Sequence, residues 1–435
     1  MIWFVYNLIF PVVFLLLLPH FILRMRKRGG YARNFWQRLG RYSPETVEKI
    51  AGERRIWIHA VSVGELFVAF RFMDELRARN PSIRFFLTTT TSTGYALAEK
   101  RINTLDVLSY FPADFPLIMC KVINLVRPLA LVLVESELWP NLIRYSRQRG
   151  IPVMLLNGRI SERSFRGYRR IRIFTRAILR HFSLLCVQSE ADGSRLQALG
   201  APAELVRNMG SAKYDLTGED SSGAAKARRV LAAAQVPSNA VILLGGSTWK
   251  GEEAALLDIY ASLKGKYPSL FLVLVPRHFE RSKQVAEDIE QRGLAMLRRS
   301  SITQDFSPAT KPDVLLVDTT GELRSFYACA DIIFVGKSLA DHGGQNIIEP
   351  AFCAKPIVVG PNMENFPVIT ADFLKAVALL QVRDARELQT AIASLIEDPA
   401  RRKDMGRKAV EVIRAKAGAV KASADLLEKQ LAAHP

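Results

Sequence analysis

Cysteine and histidine are scarce in this sequence, with 4 and 6 copies among 435 residues. The cysteines are scattered through apolar segments without a C-x-x-C spacing, which argues against a disulfide framework and a zinc site. The complete P-loop motif G-x-x-x-x-G-K-[ST] does not occur, so a P-loop nucleotide site is excluded. No repeat of about 20–50 residues is present, which excludes a solenoid. The length predicts two or three globular domains.

Acidic residues are outnumbered, since 42 Asp and Glu stand against 60 Lys and Arg, for a net charge of +18. A chain this basic is expected to have an anionic partner: nucleic acid, a membrane surface or a phosphorylated substrate. The basic residues lack the interleaved aromatic side chains of a nucleic-acid platform, so we expect no nucleic-acid partner.

The N-terminal segment is strongly apolar, with 18 apolar positions among the 22 residues 2–23. As a helix it would be about 33 Å long, against about 30 Å for a bilayer core. Basic residues follow the apolar run, the reverse of a cleaved signal peptide, and place the rest of the chain in the cytoplasm. We predict a membrane anchor over residues 1–24. A buried core helix is the alternative, and Pro11, Pro19 and His20 leave open a helix lying in the interface.

Short β-rich runs alternate with amphipathic stretches in two successive series, which predicts parallel sheets covered by helices on both faces. We predict an α/β fold of two doubly wound, Rossmann-like domains, 25–215 and 239–435, the second including the terminal helices. The polar, small-residue-rich stretch 216–238 is predicted to be a linker. Such sheets bind ligands beyond the carboxyl ends of their strands, and the cleft between the domains is the expected active site.

The first half carries candidate chemical groups at strand ends. Glu65 in S-V-G-E follows the first strand, where a general base or a mere helix cap would sit. Glu135 and Glu137 flank another strand end before Trp139. Lys213 lies near the predicted domain junction. No histidine or third acid accompanies the carboxylate pair, so we expect neither a metal nor a cofactor.

The second half carries candidate nucleotide contacts. Arg277 ends a strand and is suited to a bidentate phosphate contact. The Gly-rich turn 343–346 precedes a helix, whose free N–H groups favour an anion, and Glu349 is a candidate ribose contact. Eight arginines lie between residues 159 and 180, and their basic face suits phosphate headgroups, although a solvated helix face is the simpler alternative.

Seven motifs resemble, in order and spacing, those of the bacterial 3-deoxy-D-manno-octulosonic acid (Kdo) transferases: HAVSVGE (59–65), VESELWPNLI (134–143), NGRISERS (157–164), GSAKYD (210–215), VPRHFER (275–281), TTGELRSFY (319–327) and GGQNIIEPA (343–351). The resemblance implies a GT-B fold and transfer of Kdo from CMP-Kdo to the lipid A precursor, lipid IVA, at the cytoplasmic face of the inner membrane. It implies that Glu65 is the catalytic base and that Glu135 and Lys213 stabilise the transition state. The CMP contacts it implies are Pro276, Arg277, Gly321, Glu322, Leu323, Asn346, Ile347, Ile348 and Glu349.

Two other classes of protein remain as alternatives. A UDP-sugar transferase or epimerase on the same scaffold would share the C-terminal nucleotide loops but lack S-V-G-E and E-S-E-L-W-P. A non-catalytic, membrane-bound binding protein is favoured by charge alone.

Overall fold

The computed structural model describes residues 2–28, 34–215, 221–303, 308 and 310–433. The chain folds into two compact units. Unit 1 contains Met1–Leu216 and Lys416–Pro435, and unit 2 contains Thr217–Ala415. Each unit is built around a parallel sheet of seven strands with helices between the strands, which confirms the expected pair of Rossmann-like folds.

The sheet of unit 1 has the strand order β3-β2-β1-β4-β5-β6-β7. Its order reverses between the first and fourth strands, which pair in parallel on either side of the reversal. Six strands lie where apolar runs predict them, whereas the three-residue seventh was not predicted. The strands are β1 Ile56–His59, β2 Phe85–Thr89, β3 Val107–Tyr110, β4 Ala130–Val134, β5 Val153–Gly158, β6 Leu184–Val187 and β7 Val206–Asn208.

The helices of unit 1 cover both faces of this sheet. Alternate strand residues enter two separate apolar clusters: Trp57, for example, lies in one and Ile58 in the other. This is the burial pattern expected of a sheet that is covered on both sides. The helices are α1 Ile2–Arg28, α2 Pro44–Ala51, α3 Val63–Arg79, α4 Ser92–Arg101, α5 Pro116–Val126, α6 Pro140–Gln148, α7 Glu162–Arg170, α8 Arg172–Leu179 and α9 Glu190–Ala198.

The sheet of unit 2 has the same topology, with the strand order β10-β11-β9-β8-β12-β13-β14 and a reversal between β8 and β12. Its strands are β8 Val241–Thr248, β9 Leu270–Pro276, β10 Met296–Arg298, β11 Val314–Leu316, β12 Ile332–Val335, β13 Ile357–Val359 and β14 Leu379–Gln381. Its helices are α10 Ser221–Ala233, α11 Glu252–Lys264, α12 Ser282–Gln291, α13 Leu323–Cys329, α14 Ile348–Phe352, α15 Pro367–Lys375, α16 Ala385–Glu397 and α17 Pro399–Lys416.

The last helix, α18 Ala419–Ala432, belongs to unit 1 and not to the C-terminal domain 239–435 in which we expected it. Its residues Ala424 and Leu427 are buried in the same apolar cluster as α3. Arg79 on α3 forms ion pairs with Asp425 and Glu428, at 2.5 and 2.9 Å. A helical pattern in the sequence does not reveal which sheet a terminal helix covers.

The predicted linker 216–238 also differs in the structure. Residues 216–220 lie outside the described residues, and α10 occupies most of the remainder. This helix packs on α13 of unit 2, and Ala227 and Val230 on it are buried. Small residues that look like a linker in the sequence here permit close helix packing.

Helix α1 is long and apolar enough to cross a membrane, by length and composition, over Ile2–Pro19. Its inner face nevertheless packs on unit 1: the Tyr6 hydroxyl donates to Asp114 at 2.8 Å, and the Asn141 side-chain amide donates to Asn7 at 2.7 Å. Phe10 and Phe14 both contact the ring of Phe115 edge-on, with centroids 5.2 Å apart. The predicted basic flank lies partly outside the described residues, which resume at Asn34.

The arginine-rich segment forms two helices, α7 and α8, instead of one continuous helical face. The break falls at Ile171, which is exposed. Phe174 does pack inward, stacking on Tyr6 of α1 with ring centroids 5.7 Å apart. The two helices therefore lie beside the N-terminal helix.

Candidate active site

The point of strand reversal in unit 1 brings together the loops that carry its candidate residues. S-V-G-E follows β1, and E-S-E-L-W-P follows β4, the neighbouring strand. Ligands in doubly wound sheets bind outside the carboxyl ends of the strands at such a reversal. The two motifs, 70 residues apart in the sequence, therefore form one site.

Glu65 is the third residue of α3 and is 8% exposed, although Ser62 and Gly64 beside it are open to solvent. The Ser62 hydroxyl caps the helix by accepting the Glu65 N–H at 3.2 Å. The Glu65 carboxylate accepts the Val61 N–H at 2.8 Å through its Oε2 atom. Glu65 is thus both a capping residue and a carboxylate oriented at the edge of the sheet.

Glu135 and Lys213 interact electrostatically with each other and with Glu65. Burial raises the pKa of Glu135, and the neighbouring Lys213 opposes the rise. Burial lowers the pKa of Lys213, and Glu135 opposes that shift. Glu135 holds a left-handed backbone conformation with φ of 61°, and the Asn157 side-chain amide lies 3.5 Å from it. The structure therefore brings together the three residues proposed for catalysis in unit 1.

Glu137 occupies a separate environment in the same site. Burial raises its pKa to about 7, with the charges of Glu65 and Glu135 adding to the effect. Its Oε2 atom accepts the Trp139 indole N–H at 2.8 Å and lies 3.8 Å from Nε2 of His59. This glutamate is expected to hold a proton at neutral pH for much of the time.

His59 is fully buried, and burial lowers its pKa to about 3, so the ring is neutral. Its Nδ1 atom lies 3.1 Å from the Thr88 carbonyl oxygen, which can only accept. The proton is therefore on Nδ1, and Nε2 presents a lone pair toward Glu137. Within the described part of the chain, that Nε2 atom has no hydrogen-bond partner.

In unit 2, Arg277 lies near enough to Glu349 to interact with it electrostatically. Burial raises the pKa of Glu349, and the positive charges of Arg324 and Arg277 oppose the rise. The Asn346 side-chain amide donates to the Glu349 carboxylate at 3.3 Å. Pro276 ends β9 directly before the exposed Arg277. Arg324 is an additional cation that the sequence did not single out.

The Gly-rich turn departs from the expected anion site. The Gly343 N–H donates to Glu364 at 2.7 Å and the Gly344 N–H to the Lys337 carbonyl at 2.8 Å. The N–H of Ile348 is bonded to the Asn346 side chain at 3.0 Å. These three donors are occupied within the protein, because the turn folds back on its own neighbours. The N–H groups of the helix after this turn were expected to be free to bind an anion, and for Ile348, the first residue of α14, that expectation is wrong.

The carboxylate of Glu322, a predicted CMP contact, is bound by side chains of the protein itself. Its carboxylate pairs with Lys226 of α10 and with Arg299, each at 3.1 Å. Burial alone would raise the pKa of Glu322, but hydrogen bonds from Thr319, Lys226 and Arg299 hold it below its usual value. Gly321 before it has φ of 84°, and Leu323 begins α13. This loop can offer a ligand its backbone, while the carboxylate joins α10 to the unit.

The sequence reasoning missed Glu252, which organises the reversal point of unit 2. This carboxylate is fully buried and accepts four backbone N–H groups, at 2.8–2.9 Å, from Trp249, Lys337, Ser338 and Leu339. It thereby joins the loops that follow β8 and β12. A sequence signal for it exists. The run W-K-G-E (249–252) follows the first strand of the second half, in the same way that S-V-G-E follows the first strand of the first half.

Metal ligation has no candidate group in this region. Across the described ranges, no group of three or more His, Cys, Asp or Glu side chains is placed to hold a metal ion.

Residues 33–216 match the family model described as 3-deoxy-D-manno-octulosonic-acid transferase (kdotransferase). The chain is 32% identical over 407 residues to the 3-deoxy-D-manno-octulosonic acid transferase of Haemophilus influenzae, covering 93% of each chain. It is 33% identical over 417 residues to the Bordetella pertussis enzyme of the same name, covering 94% of each. A UDP-GlcNAc 2-epimerase structure from Neisseria meningitidis shares the fold, with TM-score 0.59 over 86% of this chain and all of the other, at 15% identity.

Proposed function

The chain belongs to the 3-deoxy-D-manno-octulosonic acid transferase family of glycosyltransferases, and from that premise we propose that it transfers Kdo from CMP-Kdo to the lipid A precursor, lipid IVA. We assign the acceptor to unit 1 and the donor nucleotide to unit 2. The observation that carries the proposal is the convergence of Glu65, Glu135 and Lys213 at the strand reversal of unit 1.

Glu65 is the proposed general base. Transfer requires removal of a proton from the attacking hydroxyl of the acceptor, and a carboxylate in the first turn of a helix at the edge of the sheet, beside the exposed Ser62 and Gly64, is suited to this step. The Val61 N–H holds one oxygen of Glu65 in place, so the carboxylate is oriented before the acceptor arrives. The new glycosidic bond forms at the anomeric carbon of Kdo, the bond to the CMP phosphate breaks, and the proton passes to Glu65.

Glu135 and Lys213 are the proposed stabilisers of the transition state. Positive charge develops on the sugar ring as CMP leaves, and a nearby carboxylate stabilises it. Lys213 is suited to the carboxylate that an octulosonic acid carries. Burial of both groups strengthens these interactions, because a site with little water screens charge weakly.

Unit 2 is the proposed CMP site, with Arg277 contacting the phosphate and Glu349 the ribose hydroxyls. Gly321 and Leu323 are proposed to contribute backbone contacts, together with Pro276 and the stretch 346–348. The positive charges of Arg277 and Arg324 beside Glu349 suit an anionic leaving group.

Unit 1 is the proposed point of attachment to the cytoplasmic face of the inner membrane. The outer face of α1 exposes apolar side chains, including Phe4 at 72% and Leu16 at 73%. The neighbouring helix α8 exposes Ile173 at 78%, and Arg169 and Arg172 lie beside it. Apolar side chains flanked by arginines are typical of a helix lying in the membrane interface, and the packing of α1 on unit 1 favours that arrangement over a free span.

The test uses the full chain in detergent with lipid IVA, offered CMP-Kdo or a UDP-sugar, and the products are read by mass spectrometry. We expect one or more Kdo additions with CMP-Kdo and none with UDP-sugars. Transfer from a UDP-sugar but not from CMP-Kdo would replace this function with the UDP-sugar alternative.

A further inference from the structure

A cavity of about 270 Å³ separates the inner face of α1 from the body of unit 1. Helix α1 supplies one wall, and the 3-10 helix Phe35–Leu39 and the loops after β2, β3 and β4 supply the others. The side chains that line it are mainly aromatic and aliphatic: Phe10, Val13, Phe14, Leu17, Leu18, Phe35, Leu39, Phe111, Ala113 and Trp139, with Arg38, Thr90 and Asp114.

The charged groups at this cavity already have partners. The Arg38 guanidinium donates to the Thr90 carbonyl at 2.8 Å and lies over the ring of Tyr110, 4.1 Å from its centroid. Asp114 accepts the Tyr6 hydroxyl and the backbone N–H groups of α6 at Asn141 and Leu142. Because these charged groups already have partners in the protein and the remaining walls are apolar, the cavity favours an apolar occupant.

The cavity borders the carboxylate site through two of its lining residues. Trp139 lines it and donates its indole N–H to Glu137. Phe111 lines it and stacks on His59 with ring centroids 4.0 Å apart. An apolar group in the cavity would therefore lie next to the site at which the acceptor hydroxyl reacts.

The cavity also opens toward the apolar surface of α1. Val13 and Leu17 line it and are 43% and 59% exposed. The exposed outer face of the same helix is suited to contact the acyl region of a bilayer. An occupant entering along α1 would come directly from the lipid phase.

We propose that this cavity binds an acyl chain of the glycolipid acceptor and that α1 is a wall of the acceptor site as well as an anchor. This inference rests on the proposed function, since a lipid acceptor supplies the acyl chain. It assigns the aromatic groups Phe111 and Trp139 to acceptor specificity, because they contact both the cavity and the carboxylate site.

The test fills the cavity from opposite walls with Ala113→Phe and Leu17→Trp. The matched control is Leu117→Phe on α5, where the side chain is 86% exposed and does not line the cavity. Transfer is measured in detergent with lipid IVA and with the same acceptor stripped of its acyl chains. Both filled variants should lose about 10–100-fold in kcat/KM with lipid IVA, the scale of excluding methylenes from an apolar pocket. Transfer to the stripped acceptor and binding of CMP should stay near those of the parent protein.

Equal losses with both acceptors would show that the substitutions disturb the site generally, and no loss with either would show that the cavity is not used. Both results overturn the inference. A fluorescent fatty-acyl probe gives a readout that does not depend on transfer, and we expect both filled variants to lose its binding. Absence of transfer in the parent protein would therefore count against the proposed function, whereas unchanged probe binding in the filled variants would count against the acyl site.

Discussion

Two glutamates occupy equivalent places in the two units, each following a glycine after the first strand of its sheet. Glu65 is the third residue of α3, so its carboxylate reaches back to the Val61 N–H at the edge of the site. Glu252 is the first residue of α11, because Gly251 before it turns the chain with φ of 94°. That shift of the helix start buries Glu252 among four backbone donors. The same G-E pair thus carries the proposed base in one unit and organises loops in the other.

The candidate sites of the two units differ in the same way as these two glutamates. Unit 1 brings together ionisable side chains whose pKa values are shifted by burial, as expected where proton transfer occurs. Unit 2 instead fixes the backbone of its loops, through Glu252 and through Glu364 at the Gly-rich turn. A rigid loop is suited to hold a ligand in a fixed position.

Glu65→Gln tests the chemical half of the comparison and should have the largest effect. We expect a loss of about 10²–10⁴-fold in turnover, the usual contribution of a general base. CMP binding, measured by calorimetry, should not change. The exposed Glu48→Gln on α2 is the control. A variant that keeps most of its rate would move the base to another carboxylate, with Glu135 and Glu137 as the candidates.

Glu252→Gln tests the other side of the comparison, the role of Glu252 in fixing the loops of unit 2. An amide presents only one acceptor oxygen to the four N–H groups, and a hydrogen bond to a charged group is worth about 1.5–3 kcal/mol. We expect unit 2 to lose on the order of 3 kcal/mol of unfolding free energy in urea and CMP binding to weaken. Glu280→Gln, at an exposed position, should change neither. A stable variant with lowered turnover and normal CMP affinity would contradict the structural role.

Arg277→Ala tests whether the strand ends of unit 2, whose loops are fixed by these hydrogen bonds, bind the nucleotide. The loss of a charge-assisted hydrogen bond should weaken CMP binding by about 1.5–3 kcal/mol. Lys283→Ala on α12 removes an exposed cation from the same unit and serves as the control. Equal affinity in Arg277→Ala and the parent protein would remove this strand end from the donor site.

Glu137→Gln sharpens the comparison through pH and should have the smallest effect. The folded pKa of Glu137 is about 7, against 4.5 for its ordinary value. Between those values the folded state holds a proton that the unfolded state has released, so its unfolding free energy falls as pH rises. The Glu137→Gln variant has no titrating carboxyl group at this position, so its unfolding free energy does not fall in this way as pH rises.

Its stability advantage over the parent protein should therefore grow from about pH 4.5 to about 7 and then level off, reaching on the order of 1–2 kcal/mol. Denaturant unfolding across this range measures the gap. Asp114, whose burial also raises its pKa to about 7, is present in both proteins and cancels in the difference. A gap that is constant with pH would show that Glu137 titrates normally.

Most of the fold could be predicted from the sequence, because a strand buried on both faces is a continuous apolar run such as 129–135 or 270–276. The strands that went unpredicted, β7, β10 and β14, have three residues each and all include polar or charged residues. The equally short β11 and β13 are entirely apolar and could be predicted. The site residues could be placed at strand ends because S-V-G-E and E-S-E-L-W-P directly follow such runs. Their roles stay proposals.

The sequence by itself determined that the chain forms two parallel sheets, carries an apolar N-terminal helix and places carboxylates after the strands of its first half. Local patterns decide these features, since strand burial and helix composition depend on neighbouring residues. Only the tertiary structure decided that α18 covers unit 1 and that α1 packs against Asp114 and Asn141. It also decided that Glu252 and Glu65 have different hydrogen-bond partners. Each of these depends on contacts between residues far apart in the chain, such as the 85 or more residues that separate Glu252 from the N–H groups of β12's loop.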